Sequence, residues 1–299
     1  MITITDKTQF DDVGENKIIH GDINNIEFEQ SSITFNGSNN IIVIENGVKM
    51  KNCMLKINGE NTLFYLSESK HWYYLDITGN NNTSIYFGKN CFLNGRLVAV
   101  TSERQNIFIG NDGLFSYGIT LRTADPHLVF DCETKQRINH SASVLLGDHV
   151  WLGQGAMLLK GTQIGSGSII GAAAVCAGKK VPSNASYAGN PAKLIKQGVF
   201  FTNKCVHQWT EEMTAENEID NSDKWIYSHD KNTVSLAVLT KQLKDASRQK
   251  KSLNTSKTLF RKAKTDFILN LKKLKKVYFQ DKAKEYEAKK ASYSLFSVL

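Results

Sequence analysis

The sequence predicts a mainly β chain, a stack of short-stranded coils followed by an α-helical C-terminal region, and three observations predict it. From Leu146 onward an aliphatic residue returns every six positions, at Leu146, Leu152, Leu158, Ile164 and Ile170. Gly147, Gly153, Gly165 and Gly171 directly follow four of these. After about residue 197 both patterns stop and the chain turns rich in lysine. A period of six matches neither a 3.6-residue helix nor plain strand alternation, so it implies short strands joined by tight corners. Three such segments make one flat-sided coil of eighteen residues, and coils stacked about 4.8 Å apart bury the aliphatic ladder. The position two before each aliphatic residue points into a narrow corner and is filled by Val150, Ala156, Thr162, Ser168 and then Ala174, all small or β-branched.

With 299 residues, 41% of them hydrophobic, the chain can bury a sizeable core. No run of eighteen apolar residues predicts a membrane span, and the polar, acidic start from Met1 to Asp12 does not resemble a secretory signal. A cytoplasmic location is therefore expected. Five widely spread cysteines, Cys53, Cys91, Cys132, Cys176 and Cys205, show no CxxC spacing and argue against a disulfide framework or zinc site. Cys53, Cys91 and Cys176 stand at small or apolar positions that suit packing. Residues 241–290 hold 17 lysines and arginines against 5 acids, or +12, and the net charge of +8 less 12 leaves −4 for the remainder. The basicity belongs to the tail, so no nucleic-acid-binding core is expected.

In order, the chain reads as irregular N-terminal β coils (1–84), a regular coil region (85–197) and a basic helical extension (198–299). In the first part, Ile41-Ile42-Val43-Ile44 is followed by asparagines and glycines suited to turns with positive φ. Ser67 to Tyr74 is a protruding strand or loop whose aromatics either pack locally or meet a ligand. The register returns at Phe87-Gly88 and Leu93, and at Ile109-Gly110, Phe115 and Leu121. Residues 122–145 then carry a proline, several charges and two histidines without any ladder, and such a long excursion from a regular scaffold is usually functional. Pro182 and Pro191 mark the end of the ladder, since proline cannot continue one. Glu211, Glu212, Glu216 and Glu218 form an acidic patch. In the extension, Phe260, Ala263, Phe267, Leu271, Leu274 and Tyr278 are spaced to lay one apolar stripe on a helix.

The hexads from 146, the segment Val150-Trp151-Leu152-Gly153, the loop residue His127 and the closing Gly189-Asn190-Pro191-Ala192-Lys193 resemble the hexapeptide-repeat acyltransferases, most of all those that O-acetylate capsule and O-antigen polysaccharides. The resemblance covers residues 85–197 well and 20–85 loosely. It implies a left-handed parallel β-helix, an exception to the usual right-handed crossover. It also implies acetyl-CoA as co-substrate, a saccharide acceptor, and a homotrimer with sites between neighbouring prisms.

The resemblance assigns the catalytic base to His127, in Asp125-Pro126-His127-Leu128, with Leu128 where the family commonly has proline. An imidazole, with its ordinary pKa near 6.5, can take the proton of a sugar hydroxyl that is otherwise too weakly acidic to attack a thioester. Read from the residues alone, His127 is equally a loop histidine bonded to its own backbone. Asp125 is the candidate to orient the ring, with Asp131 and Glu133 as rivals. For the donor, Trp151 faces outward, Gln154 and Ala172 stack one coil apart, and Ala173 offers a backbone N–H. Lys179 matches the lysine of a TKDVP-like family segment, although Gly178 and Lys180 replace its Thr and Asp. Lys193 and Lys196 match basic positions near the nucleotide phosphates. His127, His140 and His149, 13 and 9 apart, lack the histidine spacing of zinc-binding relatives, and no metal is expected.

The expected reaction is direct O-acetyl transfer to a sugar of a bacterial surface polysaccharide, with no covalent acyl-enzyme. One rival is N-acyl transfer to a nucleotide-linked amino sugar, though the N-terminal part shows no glycine-rich phosphate loop. A second is a non-catalytic β-helix scaffold whose basic tail does the work. The tail's stripe suits packing on a partner helix, and its charge suits an anionic membrane surface or a capsule-assembly partner.

Overall fold

The computed structural model describes residues 1–227 and two short strands beyond them, Thr233–Ser235 and Lys276–Tyr278, which pair in parallel. From Lys17 to Ala188 the chain winds as the left-handed parallel β-helix expected. Each coil lays one strand on each of three faces. The first face runs from Ser32–Phe35 to Val175–Cys176, the second from Lys17–His20 to Lys180–Val181, and the third from Glu27–Glu29 to Ala185–Ala188.

Coil length explains why the six-residue register is sharp only after residue 146. Leu152 lies beside Ile170 and Leu158 beside Cys176, each 18 residues on. Before the long loop, Leu55 pairs with Ile77, Ile77 with Ala99 and Ala99 with Leu121, each 22 residues on. The steps from Leu93 to Ala99 and from Ile109 to Phe115 are still six. The surplus falls in the leg from the first face to the second, as from Ala99 to Ile109. Those legs carry a turn that needs a left-handed backbone, and Asn39 (φ 59°), Asn61 (φ 57°) and Asn82 (φ 61°) supply it. The N-terminal coils are therefore longer and unequal, with Lys17 beside Ile41, Lys49 beside Trp72 and Leu63 beside Ser84, and with strands of up to six residues.

The aliphatic ladder is the core. Leu146, Leu152, Leu158, Ile164 and Ile170 are fully buried, as are the corner residues Val150, Ala156, Thr162, Ser168 and Ala174. The four glycines that follow ladder residues lie against the next coil. A Cβ on Gly153 would stand 2.6 Å from the Ala172 nitrogen and 2.8 Å from the Gly171 carbonyl carbon. Gly153→Ala is accordingly expected to cost about 1–3 kcal/mol through overpacking, read as a lower denaturant midpoint at unchanged slope.

At each open end an antiparallel strand covers the edge of one of the three faces, which blunts that edge. At the N-terminus, the polar lead-in forms Ile2–Ile4 against Ser32–Phe35. A 3-10 turn follows, capped by Asp6, and buries Phe10. At the other end Lys193–Gln197 folds back on Ala185–Ala188. Cys53, Cys91 and Cys176 are buried, while Cys132 and Cys205 are exposed. Ser67–Tyr74 stays within the helix: Tyr73 is buried and its hydroxyl donates to the Ser67 carbonyl at 2.9 Å, and Trp72 lies beneath Lys49 and Lys51. Local packing accounts for both rings.

The extension from 198 returns along the solenoid and, up to Tyr227, holds one short helix, Glu211–Glu216, capped by Thr210. Glu211 and Glu212 of the acidic patch form its first turn, where acids complement the helix dipole. Of the predicted apolar stripe, Tyr278 falls in the strand Lys276–Tyr278 and the rest lies outside the described residues. Among the described residues no helix is long and apolar enough to cross a membrane.

Candidate active site

The loop leaves the corner between the first and second faces and is closed at its base. Thr123 is buried; its hydroxyl accepts from the Ser102 N–H at 2.9 Å and its carbonyl from the Ala142 N–H at 3.0 Å. Between these ties the chain forms a small two-stranded arm. The Ile138 N–H donates to the Val129 carbonyl at 3.0 Å, Phe130 bridges Arg137, and Asp131 caps the tip by accepting from the Thr134 N–H at 2.8 Å. Leu128 (59% exposed), Val129, Phe130 and Ile138 put an apolar surface on that arm.

His127 stands exposed at the root of the arm, and among the described residues its ring makes no hydrogen bond. Its main chain is fixed instead. The buried Asn139 donates from Nδ2 to the His127 carbonyl at 2.7 Å, while its Oδ1 accepts from the Val129 N–H at 2.9 Å. The Asn139 Nδ2 also reaches the Asp125 carboxylate at 3.3 Å. Asp125 is ion-paired with Lys160 of the next coil, and that ammonium, with help from Asn139, holds the Asp125 carboxyl below the usual carboxylate range. The carboxylate thus meets Lys160 and Asn139, and it acts on the frame that carries His127. The rivals lie elsewhere, Asp131 at the tip and Glu133 exposed beyond it.

A second clamp holds the far strand of the arm. Arg137 donates through Nη1 and Nη2 to both oxygens of Glu103, at 2.6 and 2.8 Å, and the Ser141 hydroxyl joins the same carboxylate. Arg137 and Ser141 bring the Glu103 carboxyl down to about 2. A carboxylate depressed in this way contributes fully above the ordinary carboxylate range, and its contribution is lost only as pH falls from about 4.5 towards 2. Sequence reasoning missed Asn139, Arg137 and Glu103. The turn signal Asp131-Cys132-Glu133-Thr134 directly after the apolar run Leu128-Val129-Phe130 was the available sign of an arm.

The predicted donor residues separate into two groups. Trp151, Ile169 and Ser186 form one outward column on the third face. The returning strand adds Lys196 beside Ser186 and Lys193 beside Ala188. A register shift at Ile195 makes the odd separation of the two lysines count as even, so both lie on the Trp151 face. Gln154 and Ala172 stack at the corner that follows. Here one expectation is corrected: the Ala173 N–H is not available to a ligand, because it donates to the Gln154 carbonyl at 2.7 Å. Ala173 takes the left-handed conformation (φ 53°) that this bond requires. Lys179 is not on this side. The Gly178 N–H donates to the Lys160 carbonyl at 3.1 Å, which sets the neighbouring Lys179 at the loop corner with His127 and Asp125. In a three-sided coil that corner lies across the prism from the Trp151 face. His140 is exposed on the loop and His149 is buried at the corner between the second and third faces, so the three histidines are not gathered.

No family model matches the chain. It is similar to a polysialic acid O-acetyltransferase of Neisseria meningitidis, 28% identical over 178 residues that cover 59% of this chain and 82% of that protein. It is also similar to a polysialic acid O-acetyltransferase of Escherichia coli O1:K1, 32% identical over 126 residues, 42% of this chain and 40% of that one. Among solved structures it resembles the polySia-specific acetyltransferase NeuO, with a TM-score of 0.60 and 26% identity across 68% of this chain and 93% of that chain.

Proposed function

We propose that this chain, a hexapeptide-repeat β-helix acyltransferase, moves the acetyl group of acetyl-CoA to a hydroxyl of a bacterial surface polysaccharide, and that polysialic acid is the first acceptor to test. The likeness to two acetyltransferases of polysialic acid, one of them matched over 82% of its length, carries this reading. His127 takes the proton of the acceptor hydroxyl, the oxygen attacks the thioester carbonyl, and the bond to sulfur breaks to release CoA. Asp125, Lys160 and Asn139 place the loop. Trp151, Gln154, Ala172, Lys193 and Lys196 line the donor groove.

The topology supports a site shared between copies, because the base and Lys179 sit at one corner while the Trp151 face lies across the prism. A homotrimer that brings the loop corner of one copy to the donor face of the next unites the two groups. Amino-sugar N-acylation is less well supported, since residues 17–84 form β-helix coils where such enzymes often carry a nucleotide-binding half. The test is incubation with labelled acetyl-CoA and a panel of capsule polymers, followed by NMR location of the acetyl group. Label on a polymer hydroxyl supports the reading. Binding of neither acetyl-CoA nor polymer sinks it in favour of a scaffold.

A further inference from the structure

His149 is fully buried and sits between two rings of the returning extension. The Phe201 ring stacks on one side at 4.0 Å between centroids and the Trp225 ring on the other at 3.6 Å, both within 10° of parallel. The imidazole Nε2 lies 3.0 Å from the Phe201 carbonyl, a contact in which Nε2–H donates. Its Nδ1 is buried without a hydrogen-bond partner. Asn184 ties both ends of this strap to the solenoid. Its Nδ2 donates to the carbonyls of Val199 and Trp225, at 3.0 and 2.9 Å, and its Oδ1 accepts from the Tyr227 N–H at 2.7 Å. The strap therefore docks at a built seat two residues before Trp151, and Phe201 touches both, with its ring 5.6 Å from the Trp151 indole.

We infer that Phe201 is a positioning residue for the donor groove: anchored on His149, it holds the Trp151 indole in place. The inference rests on the reading of Trp151 as a donor-groove residue. An indole that is 37% exposed at the surface of a β face keeps several rotamers unless a neighbour restricts it. Phe201 closes one side of it, at a separation within the range of aromatic pairs.

A pH dependence follows from the same geometry. Burial lowers the His149 pKa, a direction opposed by the Phe201 carbonyl and by the Asp112 charge and reinforced by Lys224 on the strap. Among the described residues Asp148 and Tyr227 also lie at the seat. A histidine whose docked pKa is depressed favours docking fully above about 6.5 and loses that contribution as pH falls below it. The groove should loosen on acidification, and His149→Phe, which keeps a stacked ring but no titrating nitrogen, should flatten the response.

The experiment is acetyl-CoA titration of the full chain and its variants, with initial-rate kinetics alongside. Phe201→Ala should weaken acetyl-CoA binding about threefold to tenfold, raising KM for the donor while kcat stays within about twofold. Phe201→Leu should recover most of the loss. In Trp151→Ala, the added Phe201→Ala change should have no further effect on affinity, because there is nothing left to position. Parental affinity in Phe201→Ala, with Trp151→Ala impaired, overturns this inference alone. Fully additive losses in the double variant do the same. Parental affinity in Trp151→Ala removes the donor-groove reading and this inference with it.

Discussion

His127→Ala is expected to lower kcat for acetyl transfer by about 10²- to 10⁴-fold, the usual contribution of a positioned general base, while the melting temperature stays close to that of the parent. The two readouts separate because the fold uses only the main chain of this residue. Asn139 binds its carbonyl, which alanine retains, and the ring is exposed without a hydrogen bond among the described residues. Exposed side chains of that kind usually change stability by less than about 0.5 kcal/mol. Acetyl-CoA affinity should also persist, since the donor contacts are assigned to Trp151, Lys193 and Lys196, on a face of the coil to which the His127 ring does not belong. Mixing His127→Ala with Trp151→Ala extends the test. If the site lies between copies, co-refolded mixtures regain activity that neither variant has alone, because some interfaces join an intact base to an intact groove. Parental kcat in His127→Ala would remove the residue from the mechanism.

What was legible in the sequence depended on how local the cause was. The ladder from Leu146 to Ile170 shows directly because each of its coils spends the same number of residues on each face and buries an aliphatic side chain at every step. The early coils obey the same rule, but four additional residues in one leg break the period, so Leu55, Ile77 and Ala99 align only at 22. His127 was found through its place in a known motif, and that motif says nothing of the frame around it. Glu103 meets Arg137 across 34 positions, and His149 meets Phe201 across 52. Such pairs leave no periodic trace. His149 in particular reads as one more corner residue between Asp148 and Val150, although its surroundings come from a segment with no pattern of its own. The Ala173 N–H was misread for a related reason: its acceptor, the Gln154 carbonyl, belongs to the neighbouring coil.

The second large effect is expected at Asn139. The residue is 8% exposed, and its amide joins three parts of the loop, the Asp125 carboxylate, the His127 carbonyl and the Val129 N–H. Asn139→Ala leaves that carbonyl and that N–H without their partner, which costs about 1–3 kcal/mol locally. Thr123 ties the base of the loop, and Arg137, which donates from Nε to the Asn139 Oδ1 at 3.3 Å, keeps its bonds to Glu103 and to the Asn139 carbonyl, so the loop should keep its course while His127 loses its fixed position. A displacement of about 1 Å in a reacting group can cost a hundredfold, and kcat should fall by about tenfold to hundredfold with KM for acetyl-CoA unchanged. Asn139→Asp sharpens the test. It keeps an acceptor for the Val129 N–H, but it cannot donate to the His127 carbonyl and it sets a second carboxylate beside Asp125. If donation to His127 is what matters, aspartate fails to rescue, and kcat stays as low as in the alanine variant. Parental turnover in Asn139→Asp would show that the bonds accepted from Val129 and Arg137 are enough to shape the loop, and that His127 does not depend on donation from the Asn139 amide for its place.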